Sequence, residues 1–149
     1  MEQKEMIDLL RQVASGTMDV EQAALKLKEE PFEDLGFAKI DHHRAMRQGV
    51  AEVIYGEGKT PEQIFRIAEA MKEKGQKAIL ITRMNKESAV YVGERLELQY
   101  DEVSRIGFIG ESPIKDGDGK IVVATGGTSD IPVAEEAART AETLGNEVV

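Results

Sequence analysis

The chain contains no cysteine. This absence excludes disulfide bonds, thiolate zinc sites and a cysteine nucleophile among these residues, and it is compatible with a cytosolic protein. The sequence also lacks any stretch close to the roughly 18 to 20 apolar residues of a membrane-spanning helix. Residues 1–5 have neither the basic flank nor the apolar run of a signal peptide. We therefore expect a cytoplasmic protein with no membrane partner.

Positive charge is scarce: 19 Lys and Arg residues stand against 28 Asp and Glu residues, giving a formal net charge of −9. Proteins that bind nucleic acid through its phosphates need a basic face, so we do not expect a nucleic-acid partner. A small anionic metabolite stays open, because it needs only a local basic cluster. The 149 residues, of which 41% are hydrophobic, predict one domain or one and a half, with a core of its own.

Residues 1–31 predict a helical hairpin. Apolar residues recur at helical spacing in two stretches, first Met6, Leu9, Leu10 and Val13, and then Val20, Ala23, Ala24 and Leu27. Gly16 stands where the first helix should stop. Asp19 stands where the second should be capped, with Gln22 completing a capping box, and Pro31 should end the unit.

From residue 32 the pattern changes to alternating strands and helices, which predicts an α/β domain over residues 32–113. We predict strands at 37–40, 50–55, 78–82 and 103–109, and helices at 41–49, 60–75 and 85–94. Thr60, Pro61 and Gln63 form a helix N-terminus with a capping box and proline in the first position. The strand at 78–82 is apolar throughout, so we expect it in the middle of a sheet.

The last part of the sequence predicts the beginning of a second domain, over residues 119–149. A strand of buried type at 121–125 leads through a glycine-containing loop into a helix at 132–144, and residues 146–149 resemble the start of another strand. A single βα unit followed by part of a strand is not a finished domain. We therefore expect the chain to stop inside its second domain.

The first candidate binding motif surrounds the predicted helix at 41–49. Arg44 and Arg47 are three residues apart on one helix face, with Asp41 at its cap, and arginine binds carboxylate or phosphate with two parallel hydrogen bonds. The alternative is an ordinary cap and a solvated face. His42 and His43 are adjacent and would point in different directions, so we predict no metal site here.

The second candidate is the turn at 56–60, which resembles the end of a phosphate-binding Walker A loop. The resemblance is incomplete, because the first glycine of that motif would fall at Val53, inside a strand. Lys59 and the helix start that follows it still form a candidate anion site. The alternative is a glycine turn that leads into a capped helix.

The third candidate is the loop Gly126-Gly127-Thr128-Ser129-Asp130, between the strand at 121–125 and the next helix. A loop at the carboxyl end of a parallel strand is where α/β sheets bind ligands. The glycines allow close backbone approach, the hydroxyls and N–H groups suit a phosphate or carboxylate, and the aspartate suits a ribose hydroxyl. The alternative is simple N-capping of the helix.

These motifs carry a family resemblance. Residues 119–137 resemble the opening βα unit of the class I AIR carboxylases, whose loop reads Gly-Ser-x-Ser-Asp, and glycine and threonine at 127 and 128 are the pair seen in the LarB family. Residues 34–49 and 52–63 are similar to the N-terminal domain of the LarB family, a domain that the mutases of purine synthesis lack.

The resemblance implies an activity in nickel-pincer cofactor biosynthesis, needed for the maturation of lactate racemase. The substrate would be nicotinic acid adenine dinucleotide, which is carboxylated on its pyridinium ring from carbon dioxide or bicarbonate and hydrolysed at its phosphoanhydride to release AMP. The resemblance also implies a PurE-like parallel three-layer fold for the second domain and a homo-oligomer for the full-length protein. It implies no firm cofactor and leaves a Mg²⁺ requirement open.

The resemblance also assigns candidate substrate contacts. Gly127, Thr128, Ser129 and Asp130 would contact polar groups of the substrate, while Asp41, Arg44, Arg47 and Lys59 lie in matching segments without individual roles. The family's catalytic cysteine would lie beyond Val149, so we expect this chain alone to be inactive. The alternatives are a substrate-binding or oligomerisation module without catalysis, and a relative of the purine-pathway AIR carboxylases.

Overall fold

A computed structural model of the protein describes residues 3–27, 32–41, 52–111 and 114–149. The chain divides into two compact units, Met1–Glu52 and Val53–Val149. Both units combine helices with strands, which confirms the predicted α/β class. The finer domain boundaries, at residue 31 and between residues 113 and 119, stay predictions.

The first unit begins with the predicted helical hairpin. Helix α1 spans Gln3–Ala14 and helix α2 spans Val20–Leu27. Gly16 adopts a φ of 73° where α1 stops, and the Asp19 carboxylate accepts a hydrogen bond of 3.0 Å from the Glu21 N–H where α2 starts. Both helix boundaries are confirmed, because each has the local residue that ends or caps a helix.

Two short antiparallel strands follow, β1 at Phe32–Asp34 and β2 at Lys39–Asp41. The predicted strand at 37–40 was wrong in its first half, and β1 was not predicted. The chain turns between the two strands, because Gly36 has a φ of 82° and the Leu35 N–H donates to the Ala38 carbonyl at 2.9 Å. Apart from Asp41, which ends β2, the helix predicted at 41–49 lies outside the described residues.

The second unit contains most of the regular structure. Its elements in chain order are β3 Val53–Tyr55, α3 Pro61–Glu73, β4 Ala78–Thr82, α4 Lys86–Gly93, β5 Leu98–Asp101, β6 Ile106–Gly110, β7 Lys120–Ile121, α5 Ile131–Thr143 and β8 Glu147–Val148. Four strands form one sheet in the order β3-β4-β6-β5, with β3 and β4 parallel and the other pairs antiparallel. Strands β7 and β8 form a separate parallel pair.

The β3–α3–β4 unit confirms the predicted order of strand, helix and strand, although β3 begins only at Val53. Thr60 accepts from the Gln63 N–H at 3.2 Å, and the Gln63 side chain accepts from the Thr60 N–H at 3.0 Å, so the capping box is complete. The apolar face of α3 is buried throughout and consists of Ile64, Ile67, Ala68 and Met71. Strand β4 lies between β3 and β6 with Ile79, Leu80 and Ile81 buried, as expected for a central strand.

The strand predicted at 103–109 is displaced in the structure, and β5 was not predicted. Residues 102–105 form a turn, because the Asp101 carboxylate accepts from both the N–H and the hydroxyl of Ser104 at 2.7 Å. Local hydrogen bonds of this kind, from a side chain to the backbone three residues on, compete with the strand conformation, and β6 begins only at Ile106. Ser104 is buried, so this turn is part of the packed structure.

The strand predicted at 121–125 is shorter and more exposed than expected. Strand β7 ends at Ile121, and the side chain of Val122 is 73% exposed. Within the described residues β7 pairs only with β8, so no third strand extends this sheet. The helix and the final strand were predicted correctly, as α5 and β8.

The four-stranded sheet presents two faces to the helices. Leu80 is directly opposite Phe108 and shares one face with it, and α5 lies against β4 and β6 on this side. Ile79 and Ile81 alternate with Leu80 and therefore point to the other face of the sheet, on which α3 and α4 lie. The core of this unit therefore lies on both faces of β4.

Candidate substrate-binding site

The carboxyl ends of β3 and β4 meet at one edge of the sheet, because the two strands are parallel. Tyr55 pairs with Thr82, and just beyond this pair the Gly56 N–H donates to the Thr82 carbonyl at 2.7 Å. Ligands of α/β proteins bind outside the carboxyl ends of parallel strands. Lys59 follows β3 and Arg83 follows β4, so both residues belong to this edge.

Lys59 is engaged within its own turn. Its ammonium group donates to the Tyr55 carbonyl at 2.7 Å, and the Lys59 N–H donates to the Gly56 carbonyl at 3.2 Å. The next residue, Thr60, caps α3. The geometry is thus that of a glycine turn leading into a capped helix, which was the alternative to an anion site. The Tyr55 carbonyl therefore occupies one of the three N–H donors of this ammonium group.

The backbone of Arg83 is left-handed, with a φ of 53°. This conformation costs a residue with a side chain about 1 to 2 kcal/mol and persists where surrounding contacts impose it. Arg105 supplies those contacts: its Nη2 donates to the Arg83 carbonyl at 3.2 Å, and its own carbonyl accepts from the Met84 N–H at 2.8 Å. The Met84 carbonyl also accepts from the Tyr100 hydroxyl at 3.0 Å. The loop after β4 is therefore held at several points.

The Arg83 side chain reaches α5. Its Nε donates to the Glu136 carboxylate at 2.8 Å, with the two side chains 39% and 19% exposed. This hydrogen bond raises the pKa of Arg83 further, so the guanidinium stays charged. Nearby, the Tyr55 hydroxyl donates to Glu57 at 2.5 Å, and this hydrogen bond raises the pKa of the Tyr55 phenol.

The charges around Arg83 decide what this cluster can do. Two carboxylates, Glu57 and Glu136, act on one guanidinium and each raises the pKa of Arg83. An incoming anion would meet a site whose positive charge is already compensated. The Arg83 cluster is therefore suited to holding elements together and poorly suited to capturing phosphate.

The predicted binding loop forms a turn that precedes α5. Thr128–Asp130 is a single turn of 3₁₀ helix in which the Asp130 N–H donates to the Gly127 carbonyl at 3.1 Å. Thr128, Ser129 and Asp130 are exposed. Within the described ranges, the side chains of all three make no hydrogen bond beyond the turn. Hydroxyls and the first N–H groups of a helix, left without partners, can hold a phosphate or carboxylate.

The simple capping alternative does not describe this turn. Asp130 occupies the N-cap position of α5, but its backbone is helical, with φ −92° and ψ −10°, and its side chain makes no capping hydrogen bond. A capping side chain needs an extended backbone to reach the following N–H groups. The polar groups of the turn are therefore available to a ligand.

The other predicted contacts are placed only in part. Asp41 is the last residue of β2, and its side chain is not described. Arg44, Arg47 and the two histidines lie outside the described residues. Within the described part of the chain, no hydrogen bond or ion pair joins Lys59 to the Thr128–Asp130 turn. The proposed contact roles of these residues stay predictions.

Neither a metal site nor a membrane span emerges from the described ranges. They hold no group of three or more His, Asp or Glu side chains that could bind a metal ion. None of the helices described is long and apolar enough to cross a membrane. A Mg²⁺ requirement stays a prediction.

Apart from the candidate turn, a concavity lies between α5 and strands β5 and β6. It measures about 400 Å³, with Ile106 and Phe108 among its lining residues and Lys115 and Arg139 as its positive charges. Arg139 already pairs with Glu142 at 3.0 Å, which also lines the groove. It contains none of the predicted contacts.

Sequence reasoning missed Arg83 and Glu136. Arg83 could have been found, because it follows directly after the apolar strand β4, at the edge where ligands are expected. Glu136 carried no signal, since it is one of several acidic residues on α5 and its partner is 53 residues away.

Comparison with known proteins identifies the domain. Residues 32–111, more than half of the chain, match the family model of the LarB/PurE-like N-terminal domain. The chain belongs to the LarB/PurE-like family. It is also 29% identical, over 153 aligned positions, to an uncharacterized protein of Methanocaldococcus jannaschii, in an alignment that covers 98% of this chain and 60% of that protein. The chain thus spans about three fifths of the length of the curated relative it matches.

The LarB/PurE-like match includes the whole four-stranded sheet, from β3 to β6, together with Lys59 and Arg83. The Thr128–Asp130 turn and α5 follow after it. The Arg83–Glu136 ion pair therefore joins the matched domain to the segment that carries the candidate binding turn.

Proposed function

We propose that this chain takes part in nickel-pincer cofactor biosynthesis as the N-terminal portion of a LarB-type enzyme. In the proposed reaction carbon dioxide adds to the pyridinium ring of nicotinic acid adenine dinucleotide, and the ring loses the proton at that carbon. Water cleaves the phosphoanhydride, and AMP leaves from the carboxylated mononucleotide. The observation that carries this proposal is the LarB/PurE-like domain over residues 32–111.

The Thr128–Asp130 turn supports a role in substrate binding. Its two hydroxyls and the N–H groups at the start of α5 are donors, and the substrate's phosphoanhydride is an acceptor that matches them. Asp130 adds a carboxylate that suits a ribose hydroxyl. We assign the recognition of the substrate's polar groups to this turn.

The chain's own contribution is recognition and not covalent chemistry. Adding an electrophile to an electron-poor pyridinium requires a nucleophile that first adds to the ring and later leaves, and a thiolate is suited to this. The sequence holds no cysteine. We therefore expect the chain to bind the dinucleotide without carboxylating its ring.

A calorimetric titration tests this proposal. The chain is titrated with nicotinic acid adenine dinucleotide and, in parallel, with carboxyaminoimidazole ribonucleotide, the purine-pathway ligand. Saturable binding of the dinucleotide alone is the expected result. Binding of the ribonucleotide alone would favour the purine-pathway alternative, and binding of neither would contradict substrate recognition by this chain.

The exposed apolar side chains of the first unit favour a second function, self-assembly. Ile7 and Leu10 of α1 are 42% and 52% exposed, and Val20 and Leu25 of α2 are 63% and 69% exposed. Helices with such exposed apolar side chains become more stable when another surface buries those side chains. We expect a homo-oligomer in sedimentation velocity at micromolar concentration, and a monomer at all concentrations would contradict an assembly role.

A further inference from the structure

Helix α5 has few apolar contacts to hold it on the sheet. None of its 13 residues is buried, and its apolar side chains Ile131 and Val133 are 40% and 60% exposed. Burial of apolar area is the main source of helix docking energy. The position of α5 must therefore depend more than usual on its polar contacts.

The described residues contain a single ion pair between α5 and the sheet, Arg83–Glu136. The other ion pairs of α5 are internal, since Arg139 pairs with Glu135 at 3.9 Å and Glu142 at 3.0 Å. The Arg83–Glu136 pair is the better shielded from water, with Glu136 only 19% exposed. It is the polar contact that can fix α5 on the sheet.

The sheet side of this contact is itself rigid. Arg105 holds the left-handed backbone of Arg83 through the Arg83 carbonyl, and Met84 next to it is fully buried. An arginine on a flexible loop would lose side-chain and backbone entropy on pairing. Because the loop is already ordered, less of that entropy is lost here.

We propose that Arg83 and Glu136 are positioning residues that dock α5 on the sheet and thereby fix the position of the Thr128–Asp130 turn. Glu136 is six residues beyond Asp130, which is roughly 9 Å along a helix. A contact at this distance restrains the start of α5 without occupying the turn itself. The consequence for ligand affinity rests on the proposed function of the turn, whereas the docking role does not.

The direct test is amide hydrogen exchange at residues 128–134, measured by NMR on the full chain. Arg83→Gln and Glu136→Gln should each accelerate exchange on the order of five- to tenfold, because local opening of α5 becomes easier. Glu135→Gln is the matched control, since it removes the neighbouring carboxylate of the same helix, which pairs with Arg139 inside α5 at 3.9 Å, and exchange should change less than about twofold. The double variant, Arg83→Gln with Glu136→Gln, should exchange no faster than either single variant, because the two changes remove the same contact.

A second readout separates positioning from general stability. We expect Arg83→Gln to weaken binding of the dinucleotide about fivefold, while circular dichroism and the urea midpoint of the sheet stay close to those of the wild-type chain. Glu136→Gln, a change that preserves the shape of the side chain, should show the same effect if Arg83→Gln fails to fold.

The outcomes distinguish the two proposals. Unchanged exchange at residues 128–134 in both single variants, or additive effects of the two changes in the double variant, would overturn the positioning role. If the wild-type chain binds no dinucleotide but the exchange results are as expected, the positioning role stands and the proposed function fails. If the dinucleotide binds equally well to wild type and variants with altered exchange, the turn is positioned by the pair but does not contact the ligand.

Discussion

Replacing Gly56 with alanine should destabilise the edge of the sheet at which β3 and β4 end. The Gly56 N–H donates to the Thr82 carbonyl at 2.7 Å. A Cβ at this position would lie 2.9 Å from that same oxygen and 3.3 Å from the Arg83 carbonyl oxygen. Both neighbours are backbone atoms, so they cannot rotate away as a flexible side chain could.

The expected cost follows from these contacts. Overpacking against a fixed neighbour costs about 1 to 3 kcal/mol, and moving Gly56 away weakens a hydrogen bond that contributes about 0.5 to 1.5 kcal/mol. We expect Gly56→Ala to lower the free energy of unfolding by about 2 to 3 kcal/mol. With a urea dependence near 2 kcal/mol per molar, the midpoint should fall by about 1 M or more, measured by circular dichroism at 222 nm.

The same substitution at Gly93 is the matched control, and it should have the opposite sign. Gly93 is the last residue of α4, with no atom within 4 Å of an added Cβ and no positive φ. Alanine there should raise the free energy of unfolding by about 0.5 to 1 kcal/mol through helix propensity. A Gly56→Ala variant within about 0.5 kcal/mol of wild type would refute the reasoning.

Three further predictions concern buried or constrained polar groups. Ser88 is fully buried and its hydroxyl has no hydrogen-bond partner in the described structure, so Ser88→Ala should raise the free energy of unfolding by about 1 kcal/mol; a loss of stability would contradict this. Arg105 has a φ of 56°, so Arg105→Gly should be about 1 kcal/mol more stable than Arg105→Ala, reversing the usual order of these residues; equal stabilities would refute it. The N–H and then the hydroxyl of Ser104 lower the pKa of Asp101, so its folded pKa lies below its unfolded value. Asp101 therefore stabilises the fold above about pH 4 and loses this effect as pH falls through the lowered pKa. In urea titrations, the loss of unfolding free energy caused by Asp101→Asn should then be largest near neutral pH and smaller in acid. A loss that does not depend on pH would count against the interpretation.

Local sequence signals predicted the parts of the fold that local interactions determine. The capping box at Thr60 and the apolar face of α3 depend on residues within a few positions of each other, so their geometry could be read directly. The apolar stretch at β4 was sufficient to place it in the centre of the sheet.

The errors arose where a tertiary contact or a turn decided the outcome. Strand β5, Leu-Gln-Tyr-Asp, is only four residues long and gains its strand conformation from pairing with β6. The Asp101 side chain fixed the following turn and shifted β6, which propensity alone did not indicate. Apolar residues at 121–123 suggested burial, but within the described residues their sheet has only two strands.

The candidate site was predictable only in its contiguous part. The Gly127–Asp130 loop was identified because its residue types suit anion binding in that position of a βα unit. The Arg83–Glu136 pair could not be derived, since it requires a left-handed arginine and a partner 53 residues away. The charges around Arg83 were likewise visible only in three dimensions.

The central claim is that this chain recognises the dinucleotide through the turn that precedes α5. The most direct measurement is a chemical-shift titration of the ¹⁵N-labelled chain with nicotinic acid adenine dinucleotide. We predict saturable shifts of the Gly127, Thr128, Ser129 and Asp130 amides, with smaller shifts along α5. Shifts confined to α3 and α4, or no shifts at millimolar ligand, would contradict the claim.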